Sequence, residues 1–137
     1  MTTRRWAGRC CALPGAALLL LSLGMAGPAQ AAAPRTLAMQ ELLAHPGNFA
    51  GQRVRVVGFL QLAFESNALY LTRADGDNAV TGHALLLELS NGQLRAASKL
   101  NHGHVVVDGV VRVADIGHGG KWIAALRPVT RVAMWRK

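Results

Sequence analysis

The sequence predicts a small, mostly β domain: a five-stranded barrel with a short helix between its third and fourth strands and another short helix leading into it. Three observations predict it. Four stretches place apolar residues at the period of two that a strand facing a core requires, and a fifth extended stretch follows them. Two of those stretches carry a glycine, Gly58 and Gly109, at an inward position, where a missing side chain lets a strand bend across a small barrel. After residue 31 the chain holds no cysteine, so the domain must be stabilised by packing rather than by disulfides.

The first thirty-one residues have a different organisation. Arg4, Arg5 and Arg9 form a charged opening, an apolar run extends from Ala16 to Gly27, and Ala29-Gln30-Ala31 follows as an A-x-A cleavage site. The run is interrupted by Gly24 and is shorter than the ~20 apolar residues needed to span a bilayer, so residues 1–31 read as a cleavable secretory signal with Ala32 as the new N-terminus. Ala7 and Gly8 stand where a twin-arginine signal would place large apolar residues, which favours ordinary export. Cys10 and Cys11 precede the apolar run, on the wrong side for lipid attachment. The expected location is the periplasm or the medium, with no membrane span after cleavage. Three of the 15 Lys and Arg fall in this segment and all 7 Asp and Glu fall after it, so the remainder is moderately basic. That balance favours anionic partners without selecting one.

Residues 32–36 read as a short tail, and 37–137 as one domain. Thr36 is placed to cap a helix from Leu37 to Ala44, which His45-Pro46-Gly47-Asn48 ends. The first strand, Arg53 to Leu62, puts Val54, Val56, Leu60 and Leu62 inward and Arg53, Arg55, Phe59 and Gln61 outward. A turn at Glu65-Ser66-Asn67 leads to the second, Ala68 to Arg73, with Leu69 and Leu71 inward and Ala68, Tyr70 and Thr72 outward. A polar loop from Ala74 to Gly82 precedes the third, His83 to Leu89, whose Leu85, Leu87 and Leu89 face the core. Leu94, Ala97 and Leu100 recur at helical spacing within Gln93 to Leu100. The fourth strand, His104 to Ala114, has Val105, Val107, Val111 and Val113 inward and His104, Asp108 and Arg112 outward. A glycine-rich turn, Gly117 to Gly120, introduces a fifth extended stretch from Lys121 to Met134, interrupted at Arg127-Pro128. The expected core is Val54, Val56, Leu69, Leu71, Leu85, Leu87, Val105, Val107, Val111 and Val113.

Three strands, a helix and two more strands is the element order of the OB-fold, a five-stranded Greek-key barrel. The run Asn48-Phe49-Ala50-Gly51-Gln52-Arg53-Val54-Arg55-Val56-Val57-Gly58-Phe59, then Ala68-Leu69-Tyr70-Leu71 and Val105-Val106-Val107-Asp108-Gly109, resembles small exported bacterial OB-fold proteins of unassigned function. The similarity extends over Leu37 to Val132. It implies the barrel and the exported setting, and no catalytic residue transfers with it.

No machinery for catalysis is apparent. Glu65, Glu88, Asp108 and Asp115 are scattered over separate elements, and neither a G-x-S-x-G elbow nor a phosphate-binding loop occurs. Asp75-Gly76-Asp77-Asn78 begins like a calcium loop, but Ala79 and the lack of a closing Glu deny it that role, and it reads as a polar turn. The chain is therefore expected to be a non-enzymatic binding or accessory module without a cofactor, its partner an envelope protein, a peptide or another polar ligand. Two alternatives belong to other classes. A zinc or copper protein would use His102, His104 and His118, which the turn between the last two strands could gather. A nucleic-acid binder would need a basic groove with stacking aromatics, for which Tyr70 is the best-placed ring, with Phe49, Phe59 and Phe64 expected to pack. OB-folds bind across the outer face of strands two and three, between the loop joining strands one and two and that joining four and five. Those places hold Tyr70, Thr72 and Glu88, then Glu65 and Asn67, then Asp115, His118 and Lys121, with Arg55 flanking them. This mixed polar patch suits a polar or peptide-like ligand better than a bare polyanion.

Overall fold

The architecture follows from where the alternating stretches find partners. The structure, a computed structural model, describes residues 32–114, 116 and 119–137. The expected signal segment, residues 1–31, and the site candidates Asp115 and His118 lie outside the described residues. In chain order the elements are β1 (Arg35–Thr36), α1 (Met39–Ala44), β2 (Arg53–Leu62), β3 (Asn67–Tyr70), α2 (Arg73–Asp77), β4 (Ala84–Leu87), α3 (Asn91–Ala97), β5 (His104–Arg112) and β6 (Ala125–Met134).

Strands β2 to β6 close a barrel in the order β2-β3-β4-β6-β5, with β5 returning to pair with β2. All pairings in this ring are antiparallel except β4 with β6, which is parallel. The fold is the expected OB-fold-like Greek-key barrel, with α3 between its third and fourth strands and α1 before its first. Closure leaves no open edge among the five strands, a stable solution for so small a sheet. Among the described residues no helix is long and apolar enough to cross a membrane.

The interior is built from the inward residues of the alternating stretches. Val54, Val56, Leu60, Leu69, Leu85, Leu87, Val105, Val107, Val111 and Leu126 are buried together, and Leu37, Met39, Leu42 and Phe49 join them from the N-terminal segment. A Cβ added at Gly58 would stand 2.7 Å from both Leu69 Cγ and the Tyr70 carbonyl oxygen, and one at Gly109 would stand 3.1 Å from Leu126 Cβ and from the Pro128 carbonyl oxygen. Both inward glycines thus mark close approach of one wall to another.

Several local expectations are corrected. The tail is not featureless, because Arg35 and Thr36 pair in parallel with Val54 and Arg55. That pairing takes Thr36 out of the helix, so α1 starts at Met39 after Ala38, which offers no side-chain cap. Two of the ten expected core residues differ: Leu71 is only partly buried, and Val113, beyond the end of β5, is 40% exposed. Phe64 projects from the turn between β2 and β3 rather than packing. The last strand begins at Ala125 and runs through Arg127-Pro128, with register shifts opposite Gly109 absorbing the residue that cannot donate to the ladder. The polar loop after β3 contains a helix, α2, because Thr72 Oγ1 accepts the Asp75 N–H at 3.1 Å and donates to the Asp75 carboxylate at 2.7 Å.

Candidate functional site

The outer wall of the barrel is apolar where β2, β3 and β4 meet. Phe59, Ala68, Tyr70, Ala84 and Leu86 face away from the interior yet are buried, together with Trp122 and Ala125 and with Ile116 packed against them. The small residues Ala68, Ala84 and Ala125 leave room on this wall, and the bulky Trp122 ring joins the same cluster. Helix α2 covers the neighbouring part: a Cβ at Gly76 would lie 2.9 Å from Phe59 Cδ1 and from Gln61 Oε1, so only glycine permits so close an approach. The chain therefore roofs much of the face on which OB-folds receive ligands.

At the margin of this roof a depression of about 240 Å³ remains, lined by Glu65, Ser66, Tyr70, Ala79, Thr81, Lys121 and Trp122. Its aromatic lining comes from Tyr70 and Trp122, which are 5% and 8% exposed. Burial pushes the Tyr70 phenol above its ordinary range, so it stays a neutral hydroxyl. Glu65 and Lys121 are exposed on the turn between β2 and β3 and in the segment leading to β6, which supplies opposite charges to one small concavity. Depressions of about 280 and 290 Å³ occur elsewhere, lined in one case by Gln93, Ala96, Thr130 and Arg131 and in the other by Lys99, Asn101, His104 and Trp135. Neither combines facing charges of both signs with a buried aromatic pair.

Of the predicted binding residues the structure brings Glu65, Tyr70 and Lys121 together, and among the other described ones it commits Thr72, Glu88 and Arg55 to contacts elsewhere. Thr72 is committed to capping α2. Glu88 accepts from Arg127 Nη1 at 3.2 and 3.3 Å. Arg55 points to β5, where its Nε and Nη2 each donate to Asp108 at 2.7 Å, and Asn67 opens β3 with its side-chain oxygen buried without a partner. Tyr70 needs a correction of its own, because its ring is packed in the wall rather than presented for stacking. Trp122, Ala79 and Thr81 were not anticipated. A signal for the hidden wall was present in Ala84-Leu85-Leu86-Leu87, a continuous apolar run that marks a strand buried on both faces.

Of the histidine trio, His118 lies outside the described residues. The His102 and His104 rings both flank Phe59, with centroids at 6.3 and 5.7 Å. Among the described residues no three potential metal ligands come together. A different polar group forms beside α2, where Asp75 takes Thr72 Oγ1 on one oxygen and approaches His83 Nδ1 at 3.0 Å with the other. Those contacts, His83 first, hold the Asp75 carboxyl below the usual carboxylate range.

No family model and no curated protein matches this chain. Among solved structures it is similar to one titled "OBody AM3L15 bound to hen egg-white lysozyme", at 16% identity over 78% of this chain and 99% of that one, with a TM-score of 0.48.

Proposed function

We propose that this protein is an exported, non-enzymatic binding module of the small bacterial OB-fold type, released by cleavage after Ala31, whose ligand is a short polar or peptide-like segment held beside Tyr70 and Trp122. The observation that carries the reading is the depression itself: a buried aromatic pair with a carboxylate, Glu65, and an ammonium, Lys121, in the same lining. Its volume of about 240 Å³ is below the range of pockets that enclose whole cofactors, roughly 300–1,000 Å³, and fits one side chain or a chain terminus. Charges of both signs favour a partner that carries both, as a peptide does, over a uniform polyanion.

Two measurements test this reading. The intact mass of protein recovered from the cell envelope or medium is expected to begin at Ala32, and a mass that retains Met1 to Ala31 would contradict export with cleavage. A partner captured from the native envelope is then titrated against E65A and K121A. Both side chains are exposed, so each variant should keep its thermal stability within about 0.5 kcal/mol while losing affinity. Unchanged affinity in both would move the binding surface elsewhere.

A further inference from the structure

The wall of β1, β2, β5 and β6 carries a second arrangement, distinct from the depression. Register places Thr36, Arg55, Asp108 and Arg131 side by side across the four strands. One carboxylate is thus flanked by two guanidinium-bearing positions. Arg53, two residues along β2 on the same face, extends across β5 so that its Nη2 donates to Thr130 Oγ1 at 3.3 Å, and Thr130 Oγ1 donates on to the Asp108 carbonyl oxygen at 3.3 Å. Three arginines therefore converge on one acid. Asp108 spends both carboxylate oxygens on Arg55, which neutralises that pair and leaves the charges of Arg53 and Arg131 unbalanced. Among the described residues the ion pairs of the chain involve neither of them.

We propose that Arg53 and Arg131 form a binding site for a tetrahedral oxyanion, a phosphate or phosphate ester. Two guanidinium groups with no carboxylate of their own offer two positive charges, which match a dianion better than a carboxylate. The Arg53 Nε is buried with no partner, so the protein supplies this guanidinium with no acceptor beyond Thr130 Oγ1. Arg131 is exposed and can swing onto the ligand, and a depression of about 280 Å³ lined by Gln93, Ala96, Thr130 and Arg131 opens beside it. The outward side chains of Val57, Val106 and Val110 are half-buried or buried, so the charges act next to apolar surface, where they are screened less than in open water. The Asp108 carboxyl is held low first by Arg55 and also by the charges of Arg131 and Arg53, in keeping with their convergence.

The test follows the arginine Nε–Hε resonances of the purified protein during titration with inorganic phosphate at low ionic strength, with chloride as the matched control. Saturable shifts at Arg53 and Arg131 with phosphate alone are expected, with affinity about tenfold weaker in R131Q and unchanged in R73Q, whose arginine pairs with Asp77 on α2. R53K retains the charge and should bind more tightly than R53Q, which keeps the test independent of a folding defect in either. Long-chain polyphosphate binding far more tightly than the free ion would identify a phosphate polymer as the source, and equal affinity per phosphate would identify the free ion. Shifts that fail to saturate, that chloride reproduces, or that persist undiminished in R131Q would overturn the proposal.

Discussion

Asp108 is the one charged side chain buried among the described residues, and its behaviour follows from Arg55. The bidentate contact lowers its pKa, while burial acts in the opposite sense and is outweighed. A carboxyl whose folded value is depressed contributes stability that is present above its unfolded value, about 3.9, and is lost as pH falls through the folded one. Replacement by Asn leaves the arginine without its anion, so D108N is expected to lose about 1–3 kcal/mol at neutral pH in urea unfolding. The gap between D108N and the parent should narrow as pH falls below ~4, where the carboxyl of the unfolded chain takes up a proton before that of the folded one does. A gap that stays constant down to pH ~2 would mean that the ion pair is not the source. Alternation placed Asp108 on the outer side of its strand but could not reveal its burial, because the covering group is a side chain of β2, fifty-three positions away in sequence. Tyr70 shows the same limit. It stands on the side of β3 that the period assigns, and it is hidden by Trp122 from a segment whose path no local pattern specifies.

Among the elements, the strands were legible and the short helices less so. The first four barrel strands were read from a period of two and the last as an extended stretch, and β4 fell inside the expected stretch with Leu85 and Leu87 inward. α3 starts two residues earlier than its apolar spacing suggests, since Ser90 and Gln93 form a reciprocal cap whose residues also read as a turn. α2 was missed for a related reason: Thr72 and Asp75 serve a helix start or a turn equally well, and only packing on Phe59 decides between them. T72A should therefore cost about 1 kcal/mol and speed amide exchange within residues 73–78, with little change elsewhere. G58A acts on the strand bend instead. Its new methyl meets a backbone oxygen that cannot rotate away, so a loss of about 1–3 kcal/mol or more is expected by thermal unfolding.

For the molecule as a whole, stability is distributed unevenly around the ring. β2 and β5 share seven register pairs and β5 and β6 another seven, whereas β4 meets β6 through two. The parallel seam is thus the weakest join in the closed sheet. Amide protons of Val105, Val106 and Val107, at the centre of the β2-β5-β6 wall, should exchange only through global unfolding, while the β4–β6 contact opens at lower free energy. Equal protection on both would show that the barrel opens in one step. The depression lined by Lys121 lies close to the weak seam in sequence, four residues ahead of the strand that forms it. Ligand capture there should raise protection of the seam selectively.

The aromatic pair in that depression also makes the protein its own optical probe. The chain has a single tyrosine, Tyr70, and three tryptophans, of which Trp122 shares its cluster while Trp135 is exposed near the C-terminus. Excitation energy absorbed by the phenol will pass to the neighbouring indole, so tyrosine emission should be nearly silent in the native state and appear on unfolding. In a W135F variant of residues 32–137, Trp122 becomes the sole tryptophan, with the blue-shifted spectrum of a buried indole. Any molecule that enters beside it will then report its arrival as a change of colour or intensity, without a label.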